Sequence, residues 1–144
     1  MAIIDYAHTD DALKNVLETI HEVNREGREI ISVIGAGGDR DRTKRPKMAA
    51  VAVHLSHKVI LTSDNPRSED PADIIEEMAA GISQEQSKQI LKIIDREEAI
   101  KTACMLAGEN TIVLLAGKGH EKYQEIKGVR HPFDDKEIVS KYLK

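Results

Sequence analysis

Residues 29–46 read EIISVIGAGGDRDRTKRP. The first six, Glu29 to Ile34, form an apolar run without polar alternation, the profile of a strand covered on both faces of a parallel sheet. Glycines at 35, 37 and 38 follow, and they let the backbone turn sharply or approach a ligand closely. Five cations and two anions then lie between Asp39 and Lys47, a local charge of +3 in a chain whose net charge is −4. Pro46 suits the first turn of a helix, predicted over Pro46 to Ser56. Strand, glycine loop and helix in this order are the repeating unit of an α/β fold.

The unit recurs on both sides of this stretch. Upstream, Ala2 to Asp5 reads as a short strand, and Asp10 to Arg25 as a helix with Leu13, Val16, Leu17, Ile20 and Val23 on one face. Thr9 or Asp10 suits its N-cap, and Gly27 its stop. Downstream, Lys58 to Leu61, Ile90 to Ile94 and Thr111 to Ala116 read as strands. Pro71 to Ile82 and Arg96 to Ala107 read as helices. Tyr123 to Ile126 and Val129 to Phe133 flank Lys127-Gly128 as a hairpin, and Asp134 to Leu143 closes with a helix. The predicted fold is a single α/β domain over residues 1–144, doubly wound and Rossmann-like, with a mainly parallel sheet and helices on both faces.

Composition narrows the function. The 144 residues carry 21 Lys or Arg against 25 Asp or Glu and only four Phe or Tyr, which argues against a general nucleic-acid surface. No apolar run approaches the roughly 18 residues of a spanning helix, so no membrane association is expected. The first residues show no signal peptide. A lone Cys104 in an apolar stretch reads as packed and fits a reducing, cytoplasmic setting. His21, His54, His57 and His131 show no shared metal-ligand spacing, and no metal residue or nucleophilic triad is assigned.

Four polar clusters follow predicted strands: Asp5 to Thr9, Gly35 to Arg45, Ser63 to Asp70, and Gly117 to Glu121. In a doubly wound sheet, ligands gather beyond the carboxyl ends of the strands, so these clusters should share one edge. Asp5 at a strand end can accept from a ribose, and His8 can meet a phosphate or a base. Pro66 stiffens the loop that aims Asn65 and Arg67. The Arg67 fork matches a carboxylate, and Glu121 matches an ammonium group. Together these two suit a zwitterionic amino acid. Plainer readings stay open: a capped helix start, a charged surface turn, and a loop with a local Arg–Asp pair. The glycine segments match neither a Walker A loop nor Gly-x-Gly-x-x-Gly.

The segments DYAHTDDALKNVL, GAGGDRDRTKRPKM, TSDNPRSEDP and AGKGHEKYQ, in this order, resemble the C-terminal domain of the bacterial Mur ligases across essentially the whole chain. Asp10 stands where that family usually has Pro, and Thr43 where it often has Gly. The resemblance implies an ATP-dependent, magnesium-requiring amide ligase of peptidoglycan synthesis. In such a ligase, ATP phosphorylates the carboxylate of UDP-MurNAc-L-Ala-D-Glu, and the amine of the incoming amino acid attacks the acyl phosphate. It implies a cytoplasmic, monomeric enzyme in which this domain closes over the nucleotide and delivers the amino acid. By motif, Asp5 and His8 fall in the nucleotide-facing stretch. Arg40, Asn65, Arg67, Gly117 and Glu121 fall at amino-acid contacts, and Lys118 and His120 have no firm role. The Asp-Asn-Pro-Arg sequence resembles relatives that add meso-diaminopimelate, whereas lysine-adding relatives usually replace its Arg. The same ligase class acting on lysine or another amino acid, or a stand-alone binding module, are the alternatives. The family's phosphate-binding loop and UDP-sugar domain have no counterpart here. The resemblance therefore implies a domain cut from a three-domain ligase, inactive alone, with ATP and Mg2+ held mainly elsewhere and no catalytic base of its own.

Overall fold

The computed structural model describes residues 1–143. Five parallel strands, β1 (Ala2–Asp5), β2 (Glu29–Ile34), β3 (Lys58–Leu61), β4 (Ile90–Lys92) and β5 (Thr111–Ala116), form one sheet in the order β1-β5-β2-β3-β4. The helices are α1 (Asp10–Val23), α2 (Lys44–Leu55), α3 (Pro71–Ala79), α4 (Arg96–Leu106) and α5 (Asp135–Tyr142). A short 3₁₀ turn at Gln86–Gln89 precedes β4. An antiparallel hairpin, β6 (Tyr123–Ile126) and β7 (Val129–Pro132), stands apart from the sheet.

The two apolar runs, EIISVI and TIVLLA, are the adjacent central strands β2 and β5. Burial on both faces is why neither alternates. Ile30 and Ile34 pack with α1, α2 and α3 on one side, through Leu13, Leu17, Ala49, Val53, Ile75 and Met78. Ile31 and Val33 pack on the other side with Ala99, Ile100 and Ala103 of α4 and Val139 of α5. Each fully buried Ile or Leu of this kind contributes about 1.5–3 kcal/mol of transfer free energy. Ser32 interrupts the run but is not orphaned, because its Oγ lies 2.7 Å from Ser56 Oγ.

The helix starts follow their caps. Thr9 caps α1 by accepting from Ala12 N, Asp70 caps α3, and Asp95 caps α4. Helix α2 begins two residues before the position Pro46 suggested, and α3 stops at Ala79 rather than Ile82. Val23 closes the apolar face of α1 in sequence, yet it is 72% exposed. His57 accepts the Ile30 N–H at Nδ1, a structural partner rather than a metal ligand.

The strand order creates the site. From β2 the chain steps outward through β3 to β4, then crosses back to place β5 between β1 and β2. The segment leaving β2 passes to α2 on one face, and the segment leaving β5 passes to α5 on the other. Divergent loops at such a switch point leave a crevice at the carboxyl ends of the strands.

Candidate functional site

A cleft of about 320 Å³ lies at that edge, and all four polar clusters contribute to its lining. His8 and Tyr6 come from the segment after β1, Gly37 and Arg40 from that after β2, Asn65 and Arg67 from that after β3, and Gly117 and Glu121 from that after β5. Six of the seven residues singled out by sequence therefore share one cavity. Asp5 is not among its lining residues: its Oδ1 accepts the Ala7 N–H at 2.8 Å, a local turn that launches His8 toward the cleft.

Close backbone approach shapes the walls. Gly38 donates its N–H to Asn65 O, and a Cβ at Gly38 would lie 1.9 Å from Pro66 O, so only glycine fits. Gly117 has φ +119°, and a Cβ there would approach Asp64 Oδ2 to 3.3 Å. Asp39 and Arg67 both adopt left-handed backbone, with φ of 54° and 52°. Arg67 is held there by the hairpin: its N–H donates to Glu125 O, and its carbonyl accepts from Lys127 N. Arg67 Nη1 donates to Gly38 O at 3.0 Å, and its Nε lies 3.8 Å from Glu125 Oε1. Its acidic neighbour is thus on the hairpin, not in its own loop.

The basic segment after β2 is less free than its +3 suggested. Arg45 is 1% exposed, and its guanidinium donates to both oxygens of Glu69, to Glu77 and to Gly37 O. Arg42 makes a forked pair with Glu77. The Arg45 hydrogen bonds hold the Glu69 carboxyl down at about 2, helped by the Asp39 N–H. Lys44 lies 3.5 Å from Asp10 Oδ1. Among the described residues Arg40 makes no salt bridge; its Nη1 donates to Asp39 O. Arg40 and Arg67 are accordingly the guanidinium groups available to an anion in the cleft. The first turn of α2, which contains no acidic residue, also lies on the cleft through Lys44 and Arg45.

The acidic contribution comes from Asp64 and Glu121. Glu121 Oε2 accepts from the Tyr6 hydroxyl at 3.4 Å, and Oε1 accepts from Asn65 Nδ2 at 3.3 Å. The Glu121 charge pushes the Tyr6 phenol above its ordinary value, so Tyr6 remains a donor. Beneath both acids lies Lys118, fully buried, 3.1 Å from Asp64 Oδ1 and 3.8 Å from Glu121 Oε1. One lysine against two carboxylates leaves an excess negative charge, suited to an ammonium group. His8 donates from Nδ1 to Tyr6 O at 3.0 Å, because a carbonyl can only accept.

Sequence reading missed the burial of Arg45 and Lys118 and the role of Tyr6. A charged residue among charges looks like surface, and its partners come from distant loops. Among the described residues, no three His, Cys, Asp or Glu are grouped to hold a metal ion. No helix among the described residues is long and apolar enough to cross a membrane.

Residues 1–119 match the family described as Mur ligase, glutamate ligase domain. The chain is 59% identical over 138 residues to a UDP-N-acetylmuramoyl-L-alanyl-D-glutamate–2,6-diaminopimelate ligase of Phocaeicola vulgatus, covering 96% of this chain and 28% of that protein. It is 52% identical over 141 residues to the ligase of the same name from Aquifex aeolicus, covering 98% of this chain and 28% of that one. A solved structure of a ligase of that name superposes with a TM-score of 0.90 at 48% identity, over 99% of this chain and 28% of that chain. The chain therefore spans little more than a quarter of the length of these relatives.

Proposed function

The chain belongs to the Mur ligase family, as its glutamate ligase domain, and from that premise we propose that it binds the incoming amino acid of an ATP-dependent amide ligase. The amino acid is meso-diaminopimelate, joined to UDP-MurNAc-L-Ala-D-Glu in peptidoglycan synthesis. The observation that carries the reading is the pairing, in one cleft, of two guanidinium groups, Arg40 and Arg67, with two carboxylates, Asp64 and Glu121. Such a cleft complements a ligand bearing both carboxylates and ammonium groups. Relatives at 46–60% identity carry the diaminopimelate ligase name, which supports the same substrate.

Arg67 and Arg40 clamp carboxylates, and Glu121 with Asp64 receives an ammonium group. Gly117, with no side chain, leaves room beside Asp64. Lysine lacks the distal carboxylate and would leave the Arg67 fork with only its Gly38 and Glu125 partners, which disfavours it relative to diaminopimelate. His8 offers Nε2 to the nucleotide, and Asp5 keeps one carboxylate oxygen for the ribose, the other being used by Ala7. Magnesium and the phosphate loop are assigned to the rest of the ligase, as the family resemblance implies. The chain contributes by orienting the amino acid and excluding water from the reacting carboxyl.

The test is amino-acid-dependent phosphate release by the complete ligase containing this domain. The expected result is turnover with meso-diaminopimelate far above that with lysine, and none from the chain alone. Equal use of lysine overturns the substrate assignment. Tight binding of ATP or diaminopimelate by a chain that never acts within a larger ligase favours a stand-alone binding module.

A further inference from the structure

Lys118 is fully buried and does not line the cleft, so no ligand reaches it. Its ammonium nitrogen nevertheless meets the residues that do. It donates to Asn65 Oδ1 at 2.8 Å and to Tyr123 O at 2.9 Å, and lies 3.1 Å from Asp64 Oδ1. Asn65 Oδ1 also accepts the Glu125 N–H at 2.9 Å. Both donors are of kinds that cannot accept, so the Asn65 amide has one possible orientation: oxygen inward on Lys118, nitrogen toward Glu121 and the cleft. Both lone pairs of that oxygen are then spent. Asn65 is left as a pure donor on the ligand side.

We infer that Lys118 is a positioning residue for the amino acid: it locks Asn65 as a hydrogen-bond donor and sets Asp64 and Glu121 as the ammonium-binding pair. The inference rests on the amino-acid reading of the cleft. Without the lysine, Asp64 and Glu121 would lose the cation between them, and the Asn65 amide would be oriented only by the Glu125 N–H and by Glu121. An ammonium group of the ligand would then have to offset the repulsion of the two carboxylates, and Asn65 would be a less firmly held donor. Burial lowers the Lys118 pKa, and the Asp64 charge opposes that fall.

The experiment uses the complete ligase with Lys118→Met, which keeps the length of the side-chain stem. The expected result is a KM for the amino acid raised at least about tenfold, with the KM for ATP changed less than about twofold. A general loosening of the fold would move both. An unchanged amino-acid KM in a folded variant overturns the inference. A second readout needs no substitution. In the complete, unaltered ligase, the Lys118 ammonium resonance should shift on saturation with meso-diaminopimelate and not with ATP; no shift while other cleft signals move also overturns it. If the unaltered ligase takes lysine instead, the diaminopimelate reading fails, and the Lys118 inference is decided on the lysine KM.

Discussion

Arg96 and Asp135, both without exposed side-chain surface, meet through two parallel hydrogen bonds, Nε to Oδ1 at 2.9 Å and Nη2 to Oδ2 at 2.7 Å. Burial opposes the guanidinium charge, but the Asp135 carboxylate overcomes it and holds Arg96 above its ordinary value. The same guanidinium donates to Ser63 O and Ala116 O, the residues just before Asp64 and Gly117. The pair thus joins the starts of α4 and α5 to two loops of the cleft. Removing one partner strands a buried charge, so Asp135→Asn should cost about 3–5 kcal/mol in urea unfolding. Arg96→Met with Asp135→Leu should cost clearly less than the two single changes added together. Simple additivity in that cycle would show that the pair is not coupled.

Arg67 should govern selectivity and contribute little to folding. Its backbone is fixed by the hairpin through Glu125 O and Lys127 N, contacts that do not depend on the side chain. Arg67→Ala in the complete ligase should lower the preference for diaminopimelate over lysine by about 12- to 150-fold, the equivalent of about 1.5–3 kcal/mol for lost hydrogen bonds between charged groups. The melting temperature should shift little. Retained preference, measured as the ratio of kcat/KM values, would remove Arg67 from substrate reading.

Glu69 makes the cleft rim sensitive to acid. Its carboxyl titrates at about 2 in the folded chain against an ordinary value of 4.5, chiefly through Arg45. The folded pKa is depressed, so the stabilisation is fully present above about 4.5 and is lost as the pH falls through about 2. Glu77 is lowered in the same sense by Arg42. Glu69→Gln should melt below the unaltered chain at pH 7, and the gap should narrow between these two pH values. A gap that stays constant down to pH 2 would mean that Glu69 gives no pH-linked stability.

What the sequence disclosed and what it hid divide along the range of the interactions. Uninterrupted apolar runs such as EIISVI carry their own signature, and polar clusters after such runs must meet at one edge once the sheet is parallel. That is why the clusters holding Arg40, Asn65, Arg67, Gly117 and Glu121 could be grouped from pattern, although within them only the family resemblance singles out Arg40 and Gly117. The inward roles of Arg45 and Lys118 depend on partners at distances no local pattern reports. Glu69 is 24 positions from Arg45, and Asn65 is 53 from Lys118. Asp5 shows the opposite case. Its bond to Ala7, two residues on, is a common local turn, and the short motif that admits it equally admits a ribose contact.

The turn at Lys127-Gly128 gives a way to stiffen Arg67 without touching the cleft. Lys127 has φ 49° and Gly128 φ 78°, both left-handed, as a two-residue hairpin turn of type I′ requires. Lysine tolerates that region poorly, whereas Asn-Gly is the favoured pair. Lys127→Asn should therefore stabilise the chain by about 0.5 kcal/mol, mainly by relieving backbone strain. Gly128→Ala should destabilise it by about 1 kcal/mol or more, because alanine resists positive φ. The Lys127 N–H donates to Arg67 O at 2.7 Å, so a firmer turn also restrains the left-handed Arg67. Amide hydrogen exchange at Lys127 and Arg67 should slow in the Asn variant relative to amides of β2 and β5. Faster exchange there, or a lower melting temperature, would show that the hairpin gains nothing from a better turn and does not brace Arg67.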